Sequence, residues 1–139
     1  MSISDRWPFA ILEPVPDPLN AEQLLQQGAD LLAAGRPGEA ARAFRAAVAA
    51  DQHCHEAHHG LVRALRDAGR LEQSIAAALA LTALTPQDPL AHTALSISLQ
   101  AAGHIPQAEA AAGRARILEW KQQLNAPPQP GPSQNPDLK

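Results

Sequence analysis

The stretch HCHEAHHG, residues 53–60, holds four of the chain's six histidines, its one cysteine and a glutamate. Within it His55, Glu56 and His59 satisfy H-E-x-x-H. That spacing puts two histidines one helical turn apart on one face as zinc ligands, with the glutamate beside them as a general base. Two chemical readings follow: a zinc hydrolase, or a metal-binding protein that uses the His53–His59 cluster, with Cys54 or His53 supporting His55 and His59. A hydrolase of this kind also needs a third ligand farther along the chain and a strand beside the cleft to hold substrate backbone. No segment alternates as a strand would. The expectation is therefore a non-enzyme with no catalytic residue, no cofactor and no metal needed for folding. Should a metal bind, His55 and His59 are the candidate ligands.

The elements that must position these side chains follow a repeat. Gly35, Gly69 and Gly103 stand 34 residues apart, each closing an apolar helical segment: LLAAGR, LRDAGR and LQAAGH. Other positions keep the same step: Leu31, Leu65 and Leu99; Ala40, Ser74 and Ala108; Ala47, Leu81 and Ala115; Leu24, His58 and His92. All are small or apolar except the two histidines, so His58 and His92 read as half-buried packing residues with one ring nitrogen satisfied. On both sides of each glycine the apolar positions recur with a period near 3.6, which predicts two antiparallel helices with the glycine ending the first. Pro37 and Pro106 fall in the first turn of a second helix, where a missing N–H costs nothing. Asn20 with Gln23 predicts a capping box, and Pro86 and Pro89 break the chain between the second unit and the third.

Composition agrees with this reading and narrows the function. The chain has 139 residues, enough for one domain, and its hydrophobic fraction of 45% is dominated by alanine, with two Phe, two Trp and no Tyr. Small side chains favour close helix packing over a sheet core, so the predicted class is all-α. The net charge is −3 and the eleven Lys and Arg are scattered, which argues against nucleic acid or an anionic membrane as partner. No apolar run is long enough for insertion into a membrane. A single cysteine and an N-terminal stretch without a signal peptide's unbroken apolar run point to the cytoplasm.

A helix–turn–helix unit of this length and pattern resembles the tetratricopeptide repeat, over residues 21–122. The first unit keeps Leu24, Gly28, Leu31, Ala40, Phe44 and Ala47. The second keeps Leu61, Leu65, Gly69, Leu71, Leu81 and Pro86, and the third Leu95, Leu99, Gly103, Ile105, Ala108 and Ala115. Gln27 stands where the family has leucine, Val62 and Ser96 replace its helix-packing glycine, and Ala78 and Ala112 replace its second-helix aromatic. The resemblance implies an α-solenoid of three helix–turn–helix repeats, six or seven helices in all. Its divisions would be an extended Pro-rich apolar segment 1–19, repeats at about 21–54, 55–88 and 89–122 within 20–125, and a Pro-rich tail 126–139.

Members of the family bind segments of other proteins on the concave surface lined by first helices. Carried over one position at a time, the groove would take Glu22, Leu25, Ala29 and Leu32 from the first repeat. Glu56, His59, Arg63 and Arg66 come from the second, and Leu90, Thr93, Ile97 and Gln100 from the third. The groove is then apolar at both ends and charged in the middle, with Arg63 and Arg66 either facing an acidic side chain on a partner or forming a solvated face with Asp67 and Glu56. Some members hold a chaperone's C-terminal carboxylate with Lys and Asn where this chain has Leu25 and Ala29, so that ligand is not expected. Two further apolar surfaces need cover. Trp7 and Phe9, in RWPFAILEPVPDPL, are expected in an extended segment that docks on the first repeat or on a partner, and Ile117, Trp120 and Leu124 share one face of a last helix that no capping helix follows. The expected function is a small scaffold, adaptor or assembly subunit whose partners are proteins, within a larger complex or through self-association.

Overall fold

The computed structural model describes residues 20–128. They form six α-helices: α1 Ala21–Ala33, α2 Pro37–Ala50, α3 His55–Asp67, α4 Leu71–Leu84, α5 Pro89–Ala101 and α6 Ile105–Asn125. No strand occurs among the described residues. First helices start at Ala21, His55 and Pro89 and second helices at Pro37, Leu71 and Ile105, so both series keep the 34-residue step read from the glycines.

Local chemistry sets the helix ends. Asn20 makes the expected capping box: the Gln23 N–H donates to Asn20 Oδ1 at 2.8 Å and the Asn20 N–H to Gln23 Oε1 at 3.0 Å. One repeat on, Cys54 caps nothing through its side chain; two repeats on, Asp88 Oδ1 accepts from the Leu90 N–H at 2.9 Å. Inside each pair, Gly35, Gly69 and Gly103 adopt φ of +77°, +78° and +88°. The N–H of the next residue (Arg36, Arg70, His104) then returns to the carbonyl of Leu31, Leu65 or Leu99, satisfying a helix-end acceptor.

Each helix packs on its neighbours in the chain, and the first helices also touch one another, α1 on α3 and α3 on α5. The backbones of the second helices make no such approach among the described residues, and α4 reaches the start of α6 only through the Glu72 carboxylate, 3.1 Å from Nε2 of His104. The stack therefore closes on the first-helix side and opens on the other, which makes α1, α3 and α5 the concave wall.

Two cores run through the stack. The first gathers Ala40, Ala41 and Phe44 of α2 with Leu61, Ala64 and Leu65 of α3, with Leu25, Leu31 and Leu32 of α1 packed against it. Phe44, 4% exposed, is its only aromatic ring. A Cβ on Gly28 would sit 2.7 Å from that ring, and a Cβ on Gly60 would overlap it as well. Phe44 is thus a wedge held between two bare stretches of helix. The second core joins Val62, Ile75, Ala78, Leu95 and Ala111 and has no aromatic. It is crossed by a buried polar chain: Ser74 Oγ–H donates to the Val62 carbonyl at 3.0 Å, which leaves Ser98 to donate to Ser74 Oγ at 2.6 Å. No described buried side-chain polar atom lacks a partner, as a low-dielectric interior requires.

Candidate functional site

The histidine cluster separates once placed on α3. His58 is buried and its Nε2 lies 2.9 Å from the Gln52 carbonyl. His92 repeats the contact one unit later, with Nε2 2.9 Å from the Pro86 carbonyl. Both are packing histidines, each tied to a backbone carbonyl six residues earlier. His53 and His55 are exposed, Cys54 is half-buried, and His59 turns toward α5. Among the described residues no group of three or more His, Cys, Asp or Glu gathers as metal ligands would. Burial lowers the His59 pKa below its ordinary 6.5, and His55 and His58 add to this while the Asp88 carboxylate pulls the other way.

His59 belongs to a cleft of about 310 Å³ on the concave wall between α3 and α5. From α3 come His59, Val62, Arg63 and Arg66; from α5 come Leu90, Thr93, Ala94 and Ile97. The arrangement follows from helix geometry, since positions three and four apart lie on one face. Leu90 and Ile97 are 62% and 42% exposed, an unusual state for large aliphatic side chains flanking one cleft. Arg63 is exposed and paired loosely with Asp67, at 3.6 Å. Arg66 is half-buried, and among the described residues no carboxylate lies within ion-pair distance of it. The cleft can therefore desolvate two aliphatic groups while offering a guanidinium to an anion.

Of the positions expected in a groove, the structure brings His59, Arg63, Arg66, Leu90, Thr93 and Ile97 together here. Glu56 is exposed in the first turn of α3, outside the cleft lining, and Leu25 packs on the first core. Val62 and Ala94 line the cleft without having been expected there. They are i+3 from His59 and i+4 from Leu90, so a full helical-face count would have included them. On α6, Ile117, Trp120 and Leu124 are 48%, 60% and 64% exposed. Trp7 and Phe9 lie outside the described residues.

Three helix pairs, glycine-ended first helices and a concave wall define a helical-repeat protein. Residues 25–89 match the model of the tetratricopeptide repeat, and the stack of helix pairs has the fold of such repeats. No curated protein matches the chain by sequence. Among solved structures it resembles the Yersinia enterocolitica type III secretion translocator chaperone SycD, at 19% identity and a TM-score of 0.66 over 75% of this chain and 83% of that one. It also resembles YrrB, described as a TPR protein with an unusual peptide-binding site, at 18% identity and a TM-score of 0.69. That match covers 78% of this chain and 56% of YrrB. A third is the second TPR of Spaghetti (RPAP3) bound to the HSP90 peptide SRMEEVD, at 14% identity and a TM-score of 0.65 over 70% and 91%. At these identities the likeness is one of fold.

Proposed function

We propose that the chain is a non-enzymatic protein-interaction module that holds a partner segment in the α3–α5 cleft, the segment pairing aliphatic side chains with a carboxylate. The observation that carries this is the half-buried Arg66, without a carboxylate partner among the described residues, beside the exposed Leu90 and Ile97. Tetratricopeptide repeats at large bind protein segments, and two of the similar structures are described by their peptide sites. The exposed stripe Ile117, Trp120 and Leu124 offers a second contact, through which the chain would join a larger assembly or a second copy.

The test uses a labelled peptide of alternating leucine and glutamate, with a leucine–lysine peptide as control. A charge-assisted hydrogen bond contributes about 1.5–3 kcal/mol, so Arg63→Ala with Arg66→Ala should weaken the acidic peptide roughly tenfold or more. The residual binding should also lose most of its salt dependence, with helical circular dichroism unchanged. Equal binding by the double variant would move the site away from this cleft.

A further inference from the structure

We propose that the chain's own residues 7–17 occupy the α3–α5 cleft, so that the protein's N-terminal segment competes with a partner for the groove. This rests on the reading of the cleft as a binding groove. The first reason is chemical complementarity. The segment WPFAILEPVPD runs from four large apolar side chains, Trp7, Phe9, Ile11 and Leu12, to two acids, Glu13 and Asp17. The cleft presents the matching set, Leu90 and Ile97 exposed and Arg63 and Arg66 among its lining.

The second reason is placement. Because the three pairs repeat in one register, α1, α3 and α5 run in the same direction and start at one edge of the concave wall. Asn20, which caps α1, stands at that edge, so the chain before it arises beside the N-terminal ends of α3 and α5. Packed helices lie 8–10 Å apart, which puts the start of α5 about 20 Å from Asn20. A proline-rich chain can span about 3.1 Å per residue when extended, so the length of chain from Asn20 back to Phe9 would allow on the order of 30 Å, enough to reach the cleft. Pro14, Pro16 and Pro18 separate the apolar run from the anchor. Their fixed φ reduces the conformational freedom lost when the segment is laid down.

The chain has two tryptophans, so Trp120→Phe leaves Trp7 as the only one in the full-length protein. In that background Trp7 emission is expected to be blue-shifted from the urea-unfolded value, shielded from acrylamide and unchanged by dilution. Adding Ile97→Asp should return it toward the unfolded value while helical circular dichroism is kept. Solvent-like emission in the parent overturns the proposal, as does shielding that survives Ile97→Asp. Shielding lost on dilution, together with a dimer on sizing, assigns the segment to a second copy and also overturns it. Release by Ile117→Asp instead of Ile97→Asp places the segment on α6 and overturns the proposal too.

A second measurement separates this proposal from the groove reading beneath it. Phe9→Asp should bind the labelled leucine–glutamate peptide roughly tenfold tighter than the parent, as expected when about a tenth of the parent molecules have an open cleft. Equal, measurable binding by both overturns self-occupancy and leaves the groove reading standing. No binding by either removes the groove reading, and the competition with it.

Discussion

Asn20, Cys54 and Asp88 stand one repeat apart, each just before a first helix, and only Asn20 and Asp88 cap through their side chains. A thiol is a weak acceptor, so the first turn of α3 keeps an amide that Ser or Asp at the same place would satisfy. Cys54→Ser is expected to raise stability by about 0.5–2 kcal/mol, measured as a higher urea midpoint at unchanged m. Unchanged or lower stability would show that the thiol contributes packing or ligation that a hydroxyl does not replace. His59 makes the second residue-level prediction. The folded protein holds its pKa below 6.5 through burial, so as pH falls the unfolded chain takes the proton first. The stability tied to the neutral ring is complete above about pH 6.5 and is lost as pH drops through the folded value. His59→Gln should flatten the decline of melting temperature in that acid window and leave the slope above it alone. An identical slope in both proteins would remove His59 from the pH response. The recurrence of His58 as His92 was legible in the sequence as packing. Their carbonyl partners, Gln52 and Pro86, were not, because they depend on how the chain turns into each first helix.

At the level of helices, glycine and proline carried most of the legible information. A positive φ at Gly35, Gly69 and Gly103 is a local demand that ends every first helix, and prolines in the first turns of α2, α5 and α6 mark three of the helix starts. Gly60 was not legible. The repeat register points to Gly28, Val62 and Ser96 as equivalents, and nothing in the order of residues says that Phe44 of α2 presses on both α1 and α3. Gly60→Ala should gain up to about 1 kcal/mol of helix propensity but force the buried ring aside, at about 1–3 kcal/mol. Net destabilisation is expected, and Phe44→Leu should remove most of the difference between Gly and Ala at 60. A double-mutant cycle in urea measures this coupling; additive effects would mean that the ring does not restrict α3.

Over the whole molecule, the backbone contacts between first helices and their absence between second helices, among the described residues, turn three equivalent pairs into a curved stack with two different faces. Ile117, Trp120 and Leu124 lie on the last helix of that stack, on a surface left open. Burying Trp or Leu side chains contributes about 1.5–3 kcal/mol each, so a contact through this stripe should depend strongly on one residue. Trp120→Asp is expected to shift sizing toward the smaller species or to abolish capture of a protein partner, with helicity retained. If neither changes, the stripe is surface only.

The sequence alone determined the class and the register, because helix ends, turn glycines and 3.6-residue apolar periodicity are set within a few neighbouring residues. It also determined that His58 and His92 serve packing, since a position that recurs with the repeat does what the repeat needs. Tertiary structure decided which of the expected groove residues meet. His59, Arg63 and Arg66 come to face Leu90, Thr93 and Ile97, whereas Leu25 is taken up by the first core and Glu56 stays outside the cleft. It also decided that Arg66 is half-buried with no described carboxylate in ion-pair reach, while Arg63 has Asp67. These outcomes depend on how far one helix pair rotates on the next. That rotation is a balance of many small contacts, among them the wedge of Phe44 against Gly28 and Gly60, between residues far apart in the chain.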